Sequence, residues 1–164
     1  MGIGLTLQQV EGWEGQYERM LRWYERACSA SRQSNGQDEM DFVLVVLQQS
    51  LALRDWIHEA CPERRAALEL LFRDNLELRL CRDIANGFKH MALRKKPSVD
   101  GAFSIVFEYN PRGARKGDMV VLADGHKFKL LALAGKCVSS WCDFVEHQQL
   151  RPSGAAASLD NGRT

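Results

Sequence analysis

Four polar side chains recur along one predicted helix at a spacing that could support acid–base chemistry. One helix face carries the residues at i, i+4, i+7 and i+11, which here are Arg79, Asp83, Asn86 and His90. His90 is the only member that titrates near neutral pH. Asp83 could orient its imidazole, and Asn86 offers both a donor and an acceptor. The pattern predicts a small polar site for an anionic or phosphodiester substrate.

Two neighbours of this polar stripe extend the prediction. Lys89 can neutralise a phosphate. Gly87 costs about 1 kcal/mol against alanine inside a helix, and a glycine there permits close approach of a ligand or another backbone. A purely structural interpretation stays open, in which Arg79 pairs with Asp83 at i,i+4 and Lys89 interacts favourably with the helix dipole.

The other side of the same helix is apolar and is predicted to face the core. Its large side chains recur at helical spacing, as an amphipathic helix requires, and they are Leu76, Leu80, Ile84 and Phe88. Cys61 precedes a proline and so disfavours helical backbone, while Pro62 suits a first helical turn. The helix is therefore predicted to run from Pro62 to about Leu93.

Three further helices and three strands are predicted around it. The apolar spacing indicates helices from about Leu7 to Ala30, Glu39 to Ala60 and Lys136 to Leu150. Alternating patterns indicate strands at 102–109, 118–123 and 126–132, the last two joined at Asp124-Gly125, a strong hairpin signal. The expected fold is α+β and mostly α, an up-and-down four-helix bundle with a small antiparallel β-meander, at about 102–133, inserted before the last helix.

The totals suit one compact domain. The chain has 164 residues, 45% of them hydrophobic, and a formal net charge of +1. We predict a single domain over residues 1–150 and a disordered tail over 151–164, where Pro, Ser, Gly, Ala and Asn dominate. No apolar run is long enough for a membrane span, and no secretory signal is recognisable. We therefore expect a cytoplasmic protein that does not bind membranes.

The cysteine and motif patterns indicate neither a metal site nor a cofactor. Five cysteines lack any CxxC spacing, which suits reduced, buried thiols better than a disulfide framework. Cys137 and Cys142 stand near His147, but their spacing is too loose for an ordinary zinc site. No phosphate-binding glycine loop, nucleophile elbow or zinc-protease motif occurs.

Taken with the predicted bundle, the segment Asn86-Gly-Phe-Lys-His90 resembles the HEPN superfamily. Active HEPN ribonucleases carry an Arg, often followed by Asn, a few residues before a His, and cut RNA without metal near a dimer interface. Asn86 and His90 match the second half of that motif, while Ala85 stands where the Arg would be. Arg82 lies one residue too far from His90. The run Cys81–His90 also looks like small bacterial proteins that combine a helical front with a β-hairpin.

The resemblance implies a mechanism if the protein cuts RNA. His90 would act as general acid or base on the 2′-hydroxyl or the leaving oxygen, with Asn86 positioning it and Asp83 setting its imidazole. Lys89, Arg79 or Arg82 would stabilise charge on the phosphorane. Because the usual Arg is absent, the resemblance favours an HEPN-like RNA-related or interaction module, in a bacterial defence or toxin–antitoxin system, over a metal-independent endoribonuclease.

Basic residues around the junction of helix and sheet provide a candidate nucleic-acid surface. Beyond Arg82 and Lys89 they are Arg94, Lys95, Lys96, Arg112, Arg115 and Lys116. The last three sit among glycines in a loop that could contact phosphates, although solvated loops are often basic without binding anything. The expected partners are RNA or a nucleotide, a partner protein and a second copy of the chain. Four tryptophans leave a structural or oligomerisation role open.

Overall fold

The structure, a computed structural model, describes residues 7–90, 103–108, 118–123, 125–148 and 150, with the backbone alone at 7–10, 89, 90, 107 and 108. Within these ranges lie five α-helices and one short 3₁₀ helix at Pro62–Arg64. The α-helices are α1 (Leu7–Arg32), α2 (Gly36–Ala60), α3 (Arg65–Asp74), α4 (Leu76–His90) and α5 (Leu130–His147). Three strands, β1 (Ser104–Glu108), β2 (Asp118–Ala123) and β3 (His126–Lys129), stand between α4 and α5.

The mostly helical α+β class and the small antiparallel sheet are confirmed. The strand order is β1-β2-β3, and both pairings are antiparallel. Ile105 pairs with Val121, which pairs in turn with Phe128, so these three share one face of the sheet. Val121 belongs to the apolar cluster of the core, and Ile105 and Phe128 pack against that cluster. The sheet therefore packs one face inward, as the alternating pattern predicted.

The third predicted helix is two helices, so the prediction of one helix from Pro62 to Leu93 is wrong. Asn75 has extended backbone (φ −113°, ψ 111°) between α3 and α4. Its Oδ1 accepts a hydrogen bond from the Leu78 backbone N–H at 2.9 Å, the geometry of a helix N-cap. Its Nδ2 donates to Ser140 Oγ at 2.8 Å on α5. Asn75 thus both starts α4 and ties it to α5.

We expect Asn75→Ala to lower the free energy of unfolding by about 1–2 kcal/mol, because it removes the N-cap and the bond to Ser140. Asn75→Asp keeps the capping oxygen and should lose clearly less. Urea unfolding followed by circular dichroism measures both. An alanine variant as stable as the wild type would contradict the capping role.

The last helix begins at Leu130, six residues before its predicted start, and β3 ends at Lys129. The signal was present in the sequence, because the buried residues Leu130, Leu133, Ala134 and Cys137 follow the spacing i, i+3, i+4 and i+7. The strand predicted at 126–132 overlapped the first turn of this helix, so its predicted end is wrong. A Cβ at Gly135 would lie 2.6 Å from the Tyr24 hydroxyl, so the small residue permits the close approach of α1.

Side-chain contacts fix the relative directions of the long helices. Gln16 Nε2 donates to Gln49 Oε1 at 2.7 Å, and the rings of Trp23 and Phe42 lie 5.6 Å apart. Residue numbers rise along α1 as they fall along α2, so the two helices are antiparallel.

Helix α5 is antiparallel to both α1 and α4. The Tyr17 hydroxyl donates to Cys142 Sγ at 3.2 Å, and Tyr24 lies against Gly135. On the other side, Lys136 Nζ lies 2.8 Å from Glu77 Oε1, near the contact between Asn75 and Ser140. The Lys136 hydrogen bond lowers the pKa of the Glu77 carboxyl, which keeps this pair charged at neutral pH.

Trp141 forms the centre of the core between α2, α3 and α5. Its side chain is fully buried, and its Nε1 donates to Ser50 Oγ at 2.6 Å. Phe72 and Phe144 pack edge-on against the indole, with ring centroids 5.8 Å and 5.9 Å away. A single hydrogen bond therefore satisfies the polar atom of the largest core side chain. Among the described helices, none combines the length and the apolar character that crossing a bilayer requires.

Candidate functional site

Helix α4, which carries the predicted polar stripe, is held in place by its apolar side. Leu78, Leu80, Cys81 and Ile84 have no exposed surface. The Cys81 thiol donates to the Leu47 backbone carbonyl of α2 at 3.3 Å. The scaffold for a site is therefore rigid over the first two and a half turns of the helix.

The first two members of the stripe lie in structural surroundings. Arg79 donates from Nη1 to the backbone carbonyl of Arg73, at the C-terminal end of α3, where a cation is favoured by the helix dipole. Asp83 is only 4% exposed, and its Oδ1 lies 4.0 Å from Arg82 Nε. The stripe is thus not an open row of side chains, because its centre is buried.

Asn86 is half-buried in the last turns of α4 and follows the fully anchored part of the helix. Lys89 and His90 belong to the same helix by their backbone, and their side chains lie outside the described residues. The structure therefore brings Asn86 and His90 to consecutive turns of one helix and gives no further geometry for the pair. Ala85, at the position of the missing Arg, is 4% exposed and lies on the core side.

Gly87 is approached closely by a side chain, whereas a ligand or another backbone was predicted there. A Cβ at Gly87 would lie 3.3 Å from Cζ of Phe103, the residue just before β1. Phe103 packs on the core cluster from there. The missing side chain at Gly87 therefore lets the sheet segment pack against α4, which favours the structural interpretation of this glycine.

Phe88 was predicted to be buried, and this prediction is wrong. Its side chain is 50% exposed. Phe88 follows the buried Ile84 and Cys81 at i+4 and i+7, so it continues their face of the helix. The spacing therefore predicted the correct helix face but not the exposure of Phe88 at the end of α4.

Most of the predicted basic surface falls outside the described residues. Those members are Arg94, Lys95, Lys96, Arg112, Arg115 and Lys116. On the described strands, Lys127 and Lys129 are exposed along β3. Lys129 Nζ lies 2.8 Å from Asp118 Oδ2 on β2. Arg82 remains 30% exposed beside Asp83 on α4.

Two cysteines that the sequence did not connect meet in the core. Cys137 Sγ donates to the Glu77 carbonyl at 3.4 Å, one turn before Cys81 on α4. A hydrogen bond with the Cys81 thiol, together with burial, raises the pKa of the Cys137 thiol well above its ordinary value. The thiol is therefore protonated at neutral pH and is a poor nucleophile and metal ligand. All five cysteines are free.

The side chains of Cys137, Cys142 and His147, which are close in sequence, do not come together in the structure. Cys142 contacts the Tyr17 hydroxyl, whereas Cys137 turns toward α4. His147 Nδ1 lies 2.6 Å from the Asp143 carbonyl of its own helix. Within the described part of the chain, no group of three or more His, Cys, Asp or Glu side chains is placed to hold a metal ion.

Comparison of the chain with protein-family models, with curated proteins and with solved structures gives no match.

Proposed function

We propose that this protein is an HEPN-like helical bundle that binds RNA through the segment between α4 and α5 and does not cleave it. The proposed bundle has α1, α2, α4 and α5 as its four long elements. Antiparallel contacts of α1 with α2 and α5, and of α4 with α5, support the up-and-down arrangement. A contact between α4 and α2 completes the proposed bundle, where the Cys81 thiol donates to the Leu47 carbonyl.

The partition of charge along the chain is the observation that carries the RNA-binding proposal. Residues 89–129 contain nine Lys or Arg against four Asp or Glu, whereas residues 1–88 contain ten against fourteen. A nearly neutral chain therefore concentrates its positive charge in the segment that includes the sheet. Such an asymmetry is typical of proteins in which one region binds a polyanion.

Two contacts argue against a catalytic role. Arg79 is committed to the carbonyl of Arg73, and Arg82 lies beside the buried Asp83, so neither stands in for the Arg that the HEPN motif has at Ala85. Losing a positioned charge stabiliser costs several kcal/mol of barrier in enzymes. We therefore assign Asn86 and His90 to binding, and we place the protein in the cytoplasm as a homodimer that serves bacterial defence or a toxin–antitoxin pair.

The decisive experiment compares two triple variants in RNA binding. We expect Arg112→Ala, Arg115→Ala and Lys116→Ala together to weaken binding of labelled single-stranded RNA at least tenfold. The slope of log affinity against log salt should fall by roughly 2, because each lost phosphate contact accounts for about 0.7. Fluorescence anisotropy over a salt series measures both quantities, with EDTA present throughout.

The matched control removes equal charge from the helical front, at the exposed Arg22, Arg32 and Arg73. This variant should bind like the wild type. Equal losses in both triple variants would contradict a localised surface, and no binding by the wild type would end the RNA-binding proposal. RNA shortening that disappears in His90→Ala would replace it with a metal-independent ribonuclease.

A further inference from the structure

Helix α1 is kinked near its start, and the kink is at Gly12. The backbone of Gly12 (φ 61°, ψ −169°) is non-helical, while the residues on both sides of it are helical. This combination of angles is open to glycine and costly for any residue that carries a Cβ. A change in the dihedral angles of one residue therefore separates the observed kink from a straight helix over Leu7–Arg32.

A second glycine, Gly15, provides the space into which the segment before the kink folds. A Cβ built at Gly15 would lie 2.5 Å from Cβ of Glu11, closer than two side-chain atoms can approach. In a straight α-helix, Cβ atoms four residues apart are separated by about 5–6 Å, so this overlap belongs to the kinked conformation. The two glycines thus permit the kink together, although a straight helix requires neither of them.

An ion pair across the kink holds the segment in its folded position. Glu11 Oε2 pairs with Nη2 of Arg19, eight residues further along the chain. Eight residues of a straight helix rise about 12 Å, so straightening α1 breaks this pair. Arg19 Nη1 also donates to Gln16 Oε1 at 2.7 Å, and the buried Gln16 donates to Gln49 Oε1 of α2 at 2.7 Å. The bundle therefore orients the guanidinium, and Glu11 is the partner that can leave.

The two conformations of α1 differ by few contacts. The kinked conformation gains the ion pair, whose arginine and glutamate side chains are 24% and 35% exposed, so it contributes modestly to stability. The straight conformation gains helical hydrogen bonds across position 12. Trp13, directly after the kink, is only 6% exposed and anchors the rest of α1 in the core. Exchange between the two conformations therefore moves residues 7–11 and leaves the bundle in place.

We propose that residues 7–11 form an arm with two positions. The arm is folded back over Gly15 while Glu11 pairs with Arg19, and it continues the axis of α1 once that pair is released. Ionic strength acts on this equilibrium, because a partly exposed ion pair is screened by salt. Release exposes the Arg19 guanidinium and the face of α1 at Gly15 in one step. This conformational switch is independent of the proposed RNA binding.

The test measures the angle between the axes of residues 7–11 and 13–32 in the full-length protein, from residual dipolar couplings of the backbone amides. We expect the wild type to be kinked at about 0.01 M salt and to shift toward the straight axis at about 1 M, as the Debye length falls from about 30 Å to 3 Å. Gly12→Ala should favour the straight position by roughly thirtyfold or more, because alanine avoids the observed backbone angles and is the better helix former.

A residue of opposite handedness at position 12 provides the converse variant. D-alanine favours positive φ, so it should keep the arm folded at every salt concentration. The protein can be made by joining a synthetic segment of residues 1–27 to a chain that begins at Cys28, whose thiol supports the ligation. The two alanine variants differ only in chirality, so opposite arm positions in them would reflect the backbone at Gly12 and no other property of the side chain.

Two arginine variants test the role of the ion pair. Arg19→Gln should raise the ratio of straight to kinked protein roughly two- to fivefold at low salt, the range for one partly exposed ion pair, and should abolish the response to salt. Arg22→Gln is the matched control, because Arg22 pairs with Glu18 at 3.6 Å within the regular part of α1. This variant should keep both the wild-type ratio and its response to salt.

Three results would overturn the inference. The first is a wild-type arm that keeps one angle at every salt concentration, or a Gly12→Ala arm that stays kinked. The second is an equal response of the Arg19→Gln and Arg22→Gln variants, which would remove the ion pair from the switch. The third is couplings of residues 7–11 that average to near zero in the wild type, because they describe a frayed end and not two defined positions. RNA affinity is measured separately, so none of these results bears on the proposed function.

Discussion

Trp141→Ala is expected to lower the free energy of unfolding by about 3–5 kcal/mol, the range for removing a fully buried aromatic side chain. The indole contacts Phe72, Phe144 and Ser50, so its loss opens a cavity where three helices meet. Urea unfolding at fixed protein concentration measures the change. A loss below 1 kcal/mol would show that this site is not the centre of the core.

Ser50 provides the companion measurement for the buried hydrogen bond. Ser50→Ala leaves the Trp141 N–H without its acceptor and should cost about 1–3 kcal/mol. In a Trp141→Phe background the same change should cost much less, because the donor is already gone. A double-mutant cycle on the two positions gives the coupling directly. Equal costs in both backgrounds would contradict the hydrogen bond.

Gly87→Leu should lower the free energy of unfolding by about 1–3 kcal/mol. Leucine is the better helix former by nearly 1 kcal/mol, so propensity alone predicts the opposite sign. The contact with Phe103 determines the sign of the change in stability. A Cβ at position 87 would lie 3.3 Å from the ring of Phe103, so a full leucine side chain must displace that ring.

Phe103→Ala tests whether this ring is the obstacle. If it is, the double variant Gly87→Leu, Phe103→Ala should lose less stability than the sum of the two single losses. Thermal unfolding of all four proteins provides the comparison. Additive losses would place the strain elsewhere, and a Gly87→Leu protein more stable than the wild type would rule out the contact.

The sequence predicted those features that depend on local periodicity. The amphipathic stripe of α4 from Leu80 to Ile84, the long α1 and α2, and the alternating strands all follow from spacing of apolar residues. The hairpin between β2 and β3 follows from turn chemistry. These signals lie within a few residues of one another, so no knowledge of the packed molecule is needed to find them.

The errors share a different physical origin. Asn75 breaks a long apolar pattern because its side chain has partners on α4 and α5, and the second partner lies 65 residues away. The exposure of Phe88 and the burial of Asp83 both depend on which parts of the chain pack against α4. The spacing that aligned Arg79, Asp83 and Asn86 was sound, but spacing along one helix cannot say which side of it meets solvent.

The position of α5 in the chain also affects how this protein folds during its synthesis. Trp141 meets Ser50 across 91 residues, and Tyr17 meets Cys142 across 125. Because α5 follows the other described helices in the chain, α1 and α2 leave the ribosome well before the helix that covers them. Their hairpin can form early, since its contacts are local, while the apolar surface meant for α5 stays open. The nascent chain therefore passes through an interval in which chaperones or premature self-association compete with the last helix.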